Sequence, residues 1–381
     1  MKIALFTDTF TPDVNGVAKT LSRFTRYLEH KKIAYQVFAP ESTNDDLFSK
    51  QIHRFASLPF FLYPECRLAL PNMPKIRAQL QAFQPDIIHI ATPFNMGLCG
   101  LHYAKKMNIS MVGSYHTDFE QYLSYYDLHF LTPFLWKYMK WFHQPLERIF
   151  VPSESTKEHL QQQGFTNLSI WSRGVDHTLF HPHYDRFDVR IKYNIKKPYI
   201  LTYVGRLAPE KNLTLLMEIA KSLPPHIRHK VHWLIVGDGP LKELLKRESL
   251  EHMTFTGFLQ GEQLAKIYAA SDLFVFPSAT ETFGNVVLES LSCGTPVIGA
   301  NAGGVKTIIQ HGRNGYLCNP QSVDEFVHHT TELLEDLHKR IHFGHQGRNY
   351  ALTQTWDSIF ERLLLEYEEA VINRKQSVQL A

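Results

Sequence analysis

Arg206 and Lys211 stand five positions apart in the run Val204-Gly205-Arg206-Leu207-Ala208-Pro209-Glu210-Lys211-Asn212, directly after an apolar stretch that reads as a strand. A guanidinium offers phosphoryl oxygens a planar fork and an ammonium offers a compact point charge, so the pair suits a diphosphate and can offset its charge as it departs. The bland alternative is an exposed loop with two surface cations. A second cluster runs from Pro277 to Glu289, with Glu281 in a loop after another strand and Glu289 about two turns into the helix that follows. Each carboxylate can accept hydrogen bonds from paired hydroxyls, which suits one to a sugar and the other to a ribose. Phe283-Gly284-Asn285 would open that helix, where backbone N–H groups can meet a phosphate or a sugar oxygen. The competing reading makes Glu281 a favourable charge at a helix N-terminus and Glu289 a solvated one.

The first half is less explicit. Thr11-Pro12-Asp13-Val14-Asn15-Gly16-Val17-Ala18 joins a strand to a helix and puts Gly16 where backbone can approach a ligand, although a plain turn reads equally well. His116, in Gly113-Ser114-Tyr115-His116-Thr117-Asp118, follows a strand and could hydrogen-bond a sugar hydroxyl, against the ordinary case of a structural histidine. Gly237-Asp238-Gly239-Pro240 resembles part of a dinucleotide loop but lacks its third glycine and reads as a tight turn. His338, His342 and His345 share a helical face with no carboxylate or thiol arranged beside them, so no metal site is expected. No GxSxG, HExxH or EF-hand run supports a hydrolase or metalloprotease. Phe130 to Phe142 mixes aromatics with Lys137 and Lys140, which fits an anionic membrane surface or a core helix whose lysines face outward.

These residues must be held by alternating strands and helices. Apolar runs at Ile3–Thr7, Tyr35–Ala39, Asp86–Ile90, Ser110–Tyr115, Ile149–Pro152 and Leu168–Trp171 alternate with amphipathic stretches such as Val17–Glu29. After a polar break the pattern restarts at Tyr199–Val204, Val231–Val236, Thr254–Thr256, Leu273–Phe276 and Pro296–Gly299. The pattern predicts α/β architecture with parallel sheets, and ligands at the carboxyl ends of the strands. The expected organisation is an N-terminal domain over 1–182, a linker over 183–197, a second domain over 198–357 and a terminal helical stretch over about 358–381.

At 381 residues, with 44% hydrophobic and 20% charged residues, the chain suits two soluble globular domains. Forty basic against 37 acidic residues leave +3, which gives no reason to expect nucleic acid as a partner. Cys66, Cys99, Cys293 and Cys318 are scattered and read as reduced thiols of a cytosolic protein. The N-terminal apolar stretch is too short for a signal peptide, so the expected location is cytoplasmic, with any membrane contact peripheral on the inner face.

Taken together, Asn15-Gly16-Val17, Tyr115-His116-Thr117-Asp118, Arg173-Gly174-Val175-Asp176, Gly205-Arg206 to Lys211, Glu281 with Glu289, and Gly303-Gly304 resemble the retaining glycosyltransferases of family 4. The resemblance implies a GT-B fold of two Rossmann-like domains facing a central cleft, with 1–182 as the acceptor-side domain, 198–357 as the nucleotide-sugar-binding domain and the terminal helix of about 358–381 crossing back to the N-terminal domain. It implies that Arg206 and Lys211 hold the donor diphosphate, Glu289 the ribose, and Glu281 with Phe283-Gly284-Asn285 the sugar hydroxyls or phosphate. Gly16 and His116 would complete the site, and main chain near Phe258 and Leu259 would receive the base. His116, Arg206, Lys211 and Glu281 would act in catalysis, with no metal or other cofactor. Tyr125-Tyr126 and Trp136-Lys137-Tyr138, with His116 to Phe119, are similar to bacterial GDP-mannose-dependent α-mannosyltransferases and glycolipid-making relatives. One departure is Val305-Lys306-Thr307 after Gly303-Gly304, where many relatives carry Glu. The implied reaction moves a hexose, mannose from GDP-mannose or glucose from a UDP-sugar, to a sugar, glycolipid or polysaccharide hydroxyl in an α-linkage. The alternatives are a nucleotide-sugar epimerase or hydrolase on the same scaffold, or a non-catalytic membrane-associated binding protein.

Overall fold

The computed structural model describes residues 1–13, 15–41, 50–59, 67–116, 120, 123 and 129–379. Val14, Cys66, Thr117, Asp118, Phe119, Tyr125 and Tyr126 lie outside the described residues. The chain forms two compact units, the first from 1–152, 157–172 and 357–381, the second from 153–156 and 173–356.

The first unit holds a seven-stranded sheet in the order Ile52–Phe55, Ala34–Pro40, Lys2–Phe6, Ile87–Ile90, Ser110–Ser114, Arg148–Val151, Leu168–Ile170. Every neighbouring pair is parallel. Ile88, Ile90, Met111 and Val151 carry the buried apolar side chains of its core. Three strands of this unit had no clear signal in the sequence. Ile52-His53-Arg54-Phe55 sits at the sheet edge with two polar residues between its apolar ends, and a short antiparallel pair, Ser57–Pro59 with Arg67–Ala69, follows it in sequence as a separate sheet.

The helix Trp356–Gln379 belongs to the first unit because its buried face completes that core. Phe360 packs 5.1 Å from Phe24 by ring centroids, and Tyr367 lies edge-on to both Phe24 and His89. His89 is fully buried, with Nδ1 paired to the Tyr367 hydroxyl and Nε2 2.5 Å from Ser114 Oγ. Its polar atoms are therefore satisfied inside an aromatic cage.

The second sheet runs Met253–Gly257, Val231–Val236, Tyr199–Val204, Leu273–Phe276, Val297–Ala300, Gly315–Cys318, again all parallel. This order places the first strand of the unit beside the fourth, so successive connections diverge between Tyr199–Val204 and Leu273–Phe276. A crevice outside the carboxyl ends of such a pair is where doubly wound sheets receive ligands. The stretch 183–197, expected as a linker, carries the helix Arg186–Lys192 and buries Val189 and Ile195 in the second core. Its valine and isoleucine anchor a segment whose many charges had masked any apolar period.

Candidate active site

Two loops leave that divergence point and meet. The first, 205–212, follows Tyr199–Val204 and contains a single 3-10 turn, Pro209–Lys211. The second, 277–284, follows Leu273–Phe276 and ends at Gly284, which caps the helix Asn285–Ser292 with φ 101°. Only glycine adopts that conformation without strain. Lys211 Nζ donates to Glu281 Oε1 at 2.6 Å, and Thr280 Oγ1 donates to the Glu210 carbonyl at 3.0 Å. These two contacts run side by side and stitch the loops together. Arg206 Nε donates to Glu210 Oε1 at 3.0 Å, with Nη2 donating to the same oxygen. The fully buried Tyr203 sits beneath, its hydroxyl donating to the Arg206 carbonyl at 3.2 Å.

Glycines allow this close assembly. A Cβ on Gly303 would lie 2.4 Å from the Glu281 carbonyl oxygen, at a φ of +55°. One on Gly304 would lie 2.4 Å from Phe283 Cα, and the Gly304 amide donates to the Glu281 carbonyl at 2.6 Å. The Gly-Gly pair is thus the wall against which the Glu281 loop is pressed. Gly237-Asp238-Gly239 does the same for the other loop, since a Cβ on Gly237 would fall 1.9 Å from the Gly205 carbonyl oxygen. Leu207 and Asp238 join through a backbone hydrogen bond of 2.9 Å. The tight turn expected there is also a buttress for Arg206.

Glu289 is the fifth residue of its helix, one turn in rather than the two expected, because Gly284 delays the helix start. Tyr268, fully buried, donates its hydroxyl to Glu289 Oε2 at 3.3 Å. Phe283 buries its side chain in the second core, so any ligand contact at that residue falls to its backbone. Asn285 is exposed at the helix start. Phe258 and Leu259 follow the edge strand Met253–Gly257, Phe258 exposed and Leu259 packed on the core.

Residues 14–179 match the family described as Glycosyltransferase Family 4, and residues 185–350 match that described as Glycosyl transferases group 1. The GDP-mannose-dependent alpha-mannosyltransferase of Mycobacterium tuberculosis (strain CDC 1551 / Oshkosh) is 31% identical over 375 residues, which cover 97% of this chain and 96% of that protein. This chain belongs to glycosyltransferase family 4. The Sulfoquinovosyl transferase SQD2 of Arabidopsis thaliana is 32% identical, over 94% of this chain and 71% of that protein. Among solved structures, the glycosyltransferase superposes on the sucrose-phosphate synthase of Thermosynechococcus elongatus with a TM-score of 0.79 at 20% identity, over 97% of this chain and 98% of that one. It superposes on Anabaena Alr3699/HepE, solved in complex with UDP, with a TM-score of 0.75 at 20% identity, over 97% of this chain and 100% of that one. Its two Rossmann-like parallel-sheet units are those of the GT-B fold.

The first unit of the glycosyltransferase shows the same strand order, and its loops at the corresponding divergence follow Lys2–Phe6 and Ile87–Ile90. Asn15 caps the helix Gly16–His30 by accepting from the Ala18 amide at 2.8 Å, and its amide nitrogen donates to Thr9 Oγ1 at 2.7 Å. A Cβ on Gly16 would have no neighbour within 4 Å, so the protein's own packing does not demand glycine there. His116 is half-buried, its ring edge-on to the buried Trp171 at 5.5 Å. Asp8, which the sequence did not single out, is fully buried just after the strand Lys2–Phe6. It accepts from Thr92 Oγ1 at 2.6 Å and the Met96 amide at 2.8 Å, and burial raises its carboxyl to about 6. A carboxylate directly after the first strand, in Thr7-Asp8-Thr9, was the available signal. Glu210 was missed in the same way, although it stands four positions from Arg206 inside the quoted run.

Other candidates lie elsewhere in the glycosyltransferase. His338, His342 and His345 are all exposed on the helix Leu337–Thr353. Among the described residues one trio, His328, His329 and Glu332, brings potential ligand atoms within 4.8 Å of one another. Glu332 is already engaged through Oε1 by Lys339 Nζ and by the Tyr316 hydroxyl at 2.9 Å, and through Oε2 by His329 Nδ1 at 3.2 Å, so a metal held by His329 and Oε2 would have to displace that last contact. Cys99, Cys293 and Cys318 are buried free thiols, and burial pushes Cys99 up to about 11 and Cys318 up to about 12. No helix among the described residues is long and apolar enough to cross a membrane.

The helix Thr132–His143 turns Trp136, Met139 and Phe142 into the first core. Its other face exposes Phe134 at 71% and Trp141 at 53%, with Phe130 just before it at 69%, beside the exposed Lys137 and Lys140. Both readings of the stretch therefore find a face, and the outer one carries aromatics as well as lysines.

Proposed function

We propose that the enzyme transfers a hexose from a nucleotide diphosphate sugar to an acceptor hydroxyl with retention of the α configuration, GDP-mannose being the favoured donor and a glycolipid the favoured acceptor. The observation that carries this reading is the convergence of Arg206, Lys211 and Glu281 where the second sheet's connections diverge. Two cations there can take the diphosphate, while Glu281 and the first-turn amides of Asn285–Ser292 face the sugar and phosphate oxygens. Glu289 receives the ribose hydroxyls, and main chain at Phe258 and Leu259 the base. Within the first unit, we assign Gly16 to close approach of a ligand at the helix start and His116 to a sugar hydroxyl.

In the reaction, the bond between the anomeric carbon and the diphosphate oxygen lengthens and its electron pair passes to the diphosphate. The acceptor oxygen bonds to the anomeric carbon on the same face, and a diphosphate oxygen takes the acceptor's proton. Negative charge grows where Arg206 and Lys211 stand, so their interaction is strongest in the transition state. Two protein cations supply that stabilisation, and we assign no metal or further cofactor to the step.

Support for donor and acceptor comes from the relatives, which include GDP-mannose-dependent mannosyltransferases and the Alpha-monoglucosyldiacylglycerol synthase of Streptococcus pneumoniae, 30% identical over 78% of this chain. We assign the aromatic and basic face at Phe130, Phe134, Lys137, Lys140 and Trp141 to an anionic membrane surface, where such an acceptor would reside. The test is a diphosphate-release screen of GDP-mannose, UDP-glucose and UDP-galactose against diacylglycerol, glycolipid and soluble sugar acceptors, with products identified by mass spectrometry and anomeric coupling constants. GDP-mannose should give an α-mannoside; a β-linked product, or release of free sugar alone, would overturn the proposal.

A further inference from the structure

We infer that Glu210 is a positioning residue that acts as an internal stand-in for the donor's diphosphate, holding the Arg206 guanidinium in place and yielding it when the phosphates arrive. The inference rests on the donor reading above and deepens it. Arg206 is 46% exposed at the mouth of the sheet, whereas Glu210 is only 15% exposed. A mostly buried carboxylate is costly unless it is paired. Here the pairing is with the very cation assigned to an anionic ligand. Glu210 is also anchored through its own carbonyl to Thr280 Oγ1, so its carboxylate is carried on the seam that sets the distance between the Arg206 loop and Glu281.

The geometry of the pair is that of a hold rather than a lock. Arg206 Nε and Nη2 both converge on a single oxygen, Oε1, whereas the strongest guanidinium pairs use two parallel bonds to two oxygens. A diphosphate offers that second oxygen, so exchange of Oε1 for two phosphoryl oxygens is favourable for the fork. The released carboxylate then sits beside the product diphosphate and repels it, which favours departure. Arg206 pairs with Glu210 and Lys211 pairs with Glu281, so each cation assigned to the donor already meets a carboxylate on the two stitched loops.

The test is calorimetric titration of the full chain with GDP and with UDP, alongside steady-state kinetics on the donor that turns over. Removing the competing carboxylate in Glu210→Gln should tighten nucleoside diphosphate binding about tenfold, the scale of a coupled charge pair. It should lower kcat and KM together, because product release slows. Glu210→Asp, which keeps the charge, should stay within a few-fold of wild type, and Glu210→Ala supplies the same charge loss should the Gln protein not fold. Equal or weaker diphosphate binding in the charge-removed variant, beside a wild type that binds, overturns the exchange alone. A wild type that binds neither nucleotide sinks the donor reading, and this inference with it.

Discussion

Lys211 Nζ lies 2.6 Å from Glu281 Oε1 across 70 positions of sequence, and both side chains are largely shielded from solvent. Each therefore depends on the other more than a surface pair would. Lys211→Ala and Glu281→Gln should each lower turnover by roughly 10²-fold, the scale expected for a charge-stabilising group at a reacting centre. Because they share one contact, the double variant should lose far less than the product of the two. Strictly multiplicative losses in steady-state assays would mean that the pair does not act as a unit.

The glycine wall separates packing from ligand space. Gly303→Ala and Gly304→Ala each drive a Cβ into backbone of the Glu281 loop at 2.4 Å and should cost about 1–3 kcal/mol while depressing activity. Gly16→Ala meets nothing within 4 Å, so thermal unfolding should match wild type. Any activity lost in Gly16→Ala then reports on a ligand rather than on folding.

Two buried groups of the first unit make stability depend on pH with opposite signs. Burial holds His89 down at about 3, so between pH 6.5 and 3 the unfolded chain takes a proton that the folded one refuses. Stability from this group falls as pH drops, at about 1.4 kcal/mol per pH unit at most. Asp8, held up at about 6, keeps a proton between pH 6 and 4 that the unfolded chain has released, and so adds stability as pH drops across that window. In urea unfolding at pH 7, 6 and 5, His89→Gln should flatten the acid loss and Asp8→Asn should steepen it. Identical slopes in all three proteins would contradict these assignments.

On the outer face of Thr132–His143, the combination Phe134→Ser, Lys137→Gln, Lys140→Gln and Trp141→Ser should reduce sedimentation with vesicles rich in anionic lipid by tenfold or more. Titration with GDP should be unchanged, since none of these residues belongs to the second unit. Equal sedimentation would return the face to ordinary surface.

Central strands were legible in the sequence because they are buried on both sides and read as nearly continuous apolar runs: Tyr199–Val204, Val231–Val236 and Leu273–Phe276 fall where expected. Edge strands such as Ile52–Phe55 and Gly315–Cys318 have no such run and were invisible. Arg206, Lys211 and Glu281 could be singled out because each follows a legible strand and carries a charge that suits a diphosphate or a sugar. Glu210 and Asp8 follow legible strands too, but their importance lies in which atoms they meet. An acid beside a lysine in sequence says nothing of an arginine fork one turn back, and a carboxylate after a strand does not announce the helix start it will cap.

The path of the chain has a consequence for how the enzyme comes into being. Tyr367 and Phe360, which close the aromatic cage around His89 and Phe24, are translated only after every residue of the second unit. During synthesis the opening sheet must wait on the ribosome with one flank bare, while residues 173–356 can already collapse on their own core. A nascent chain stalled near 356 would thus carry a completed second unit and a first unit still lacking its closing helix.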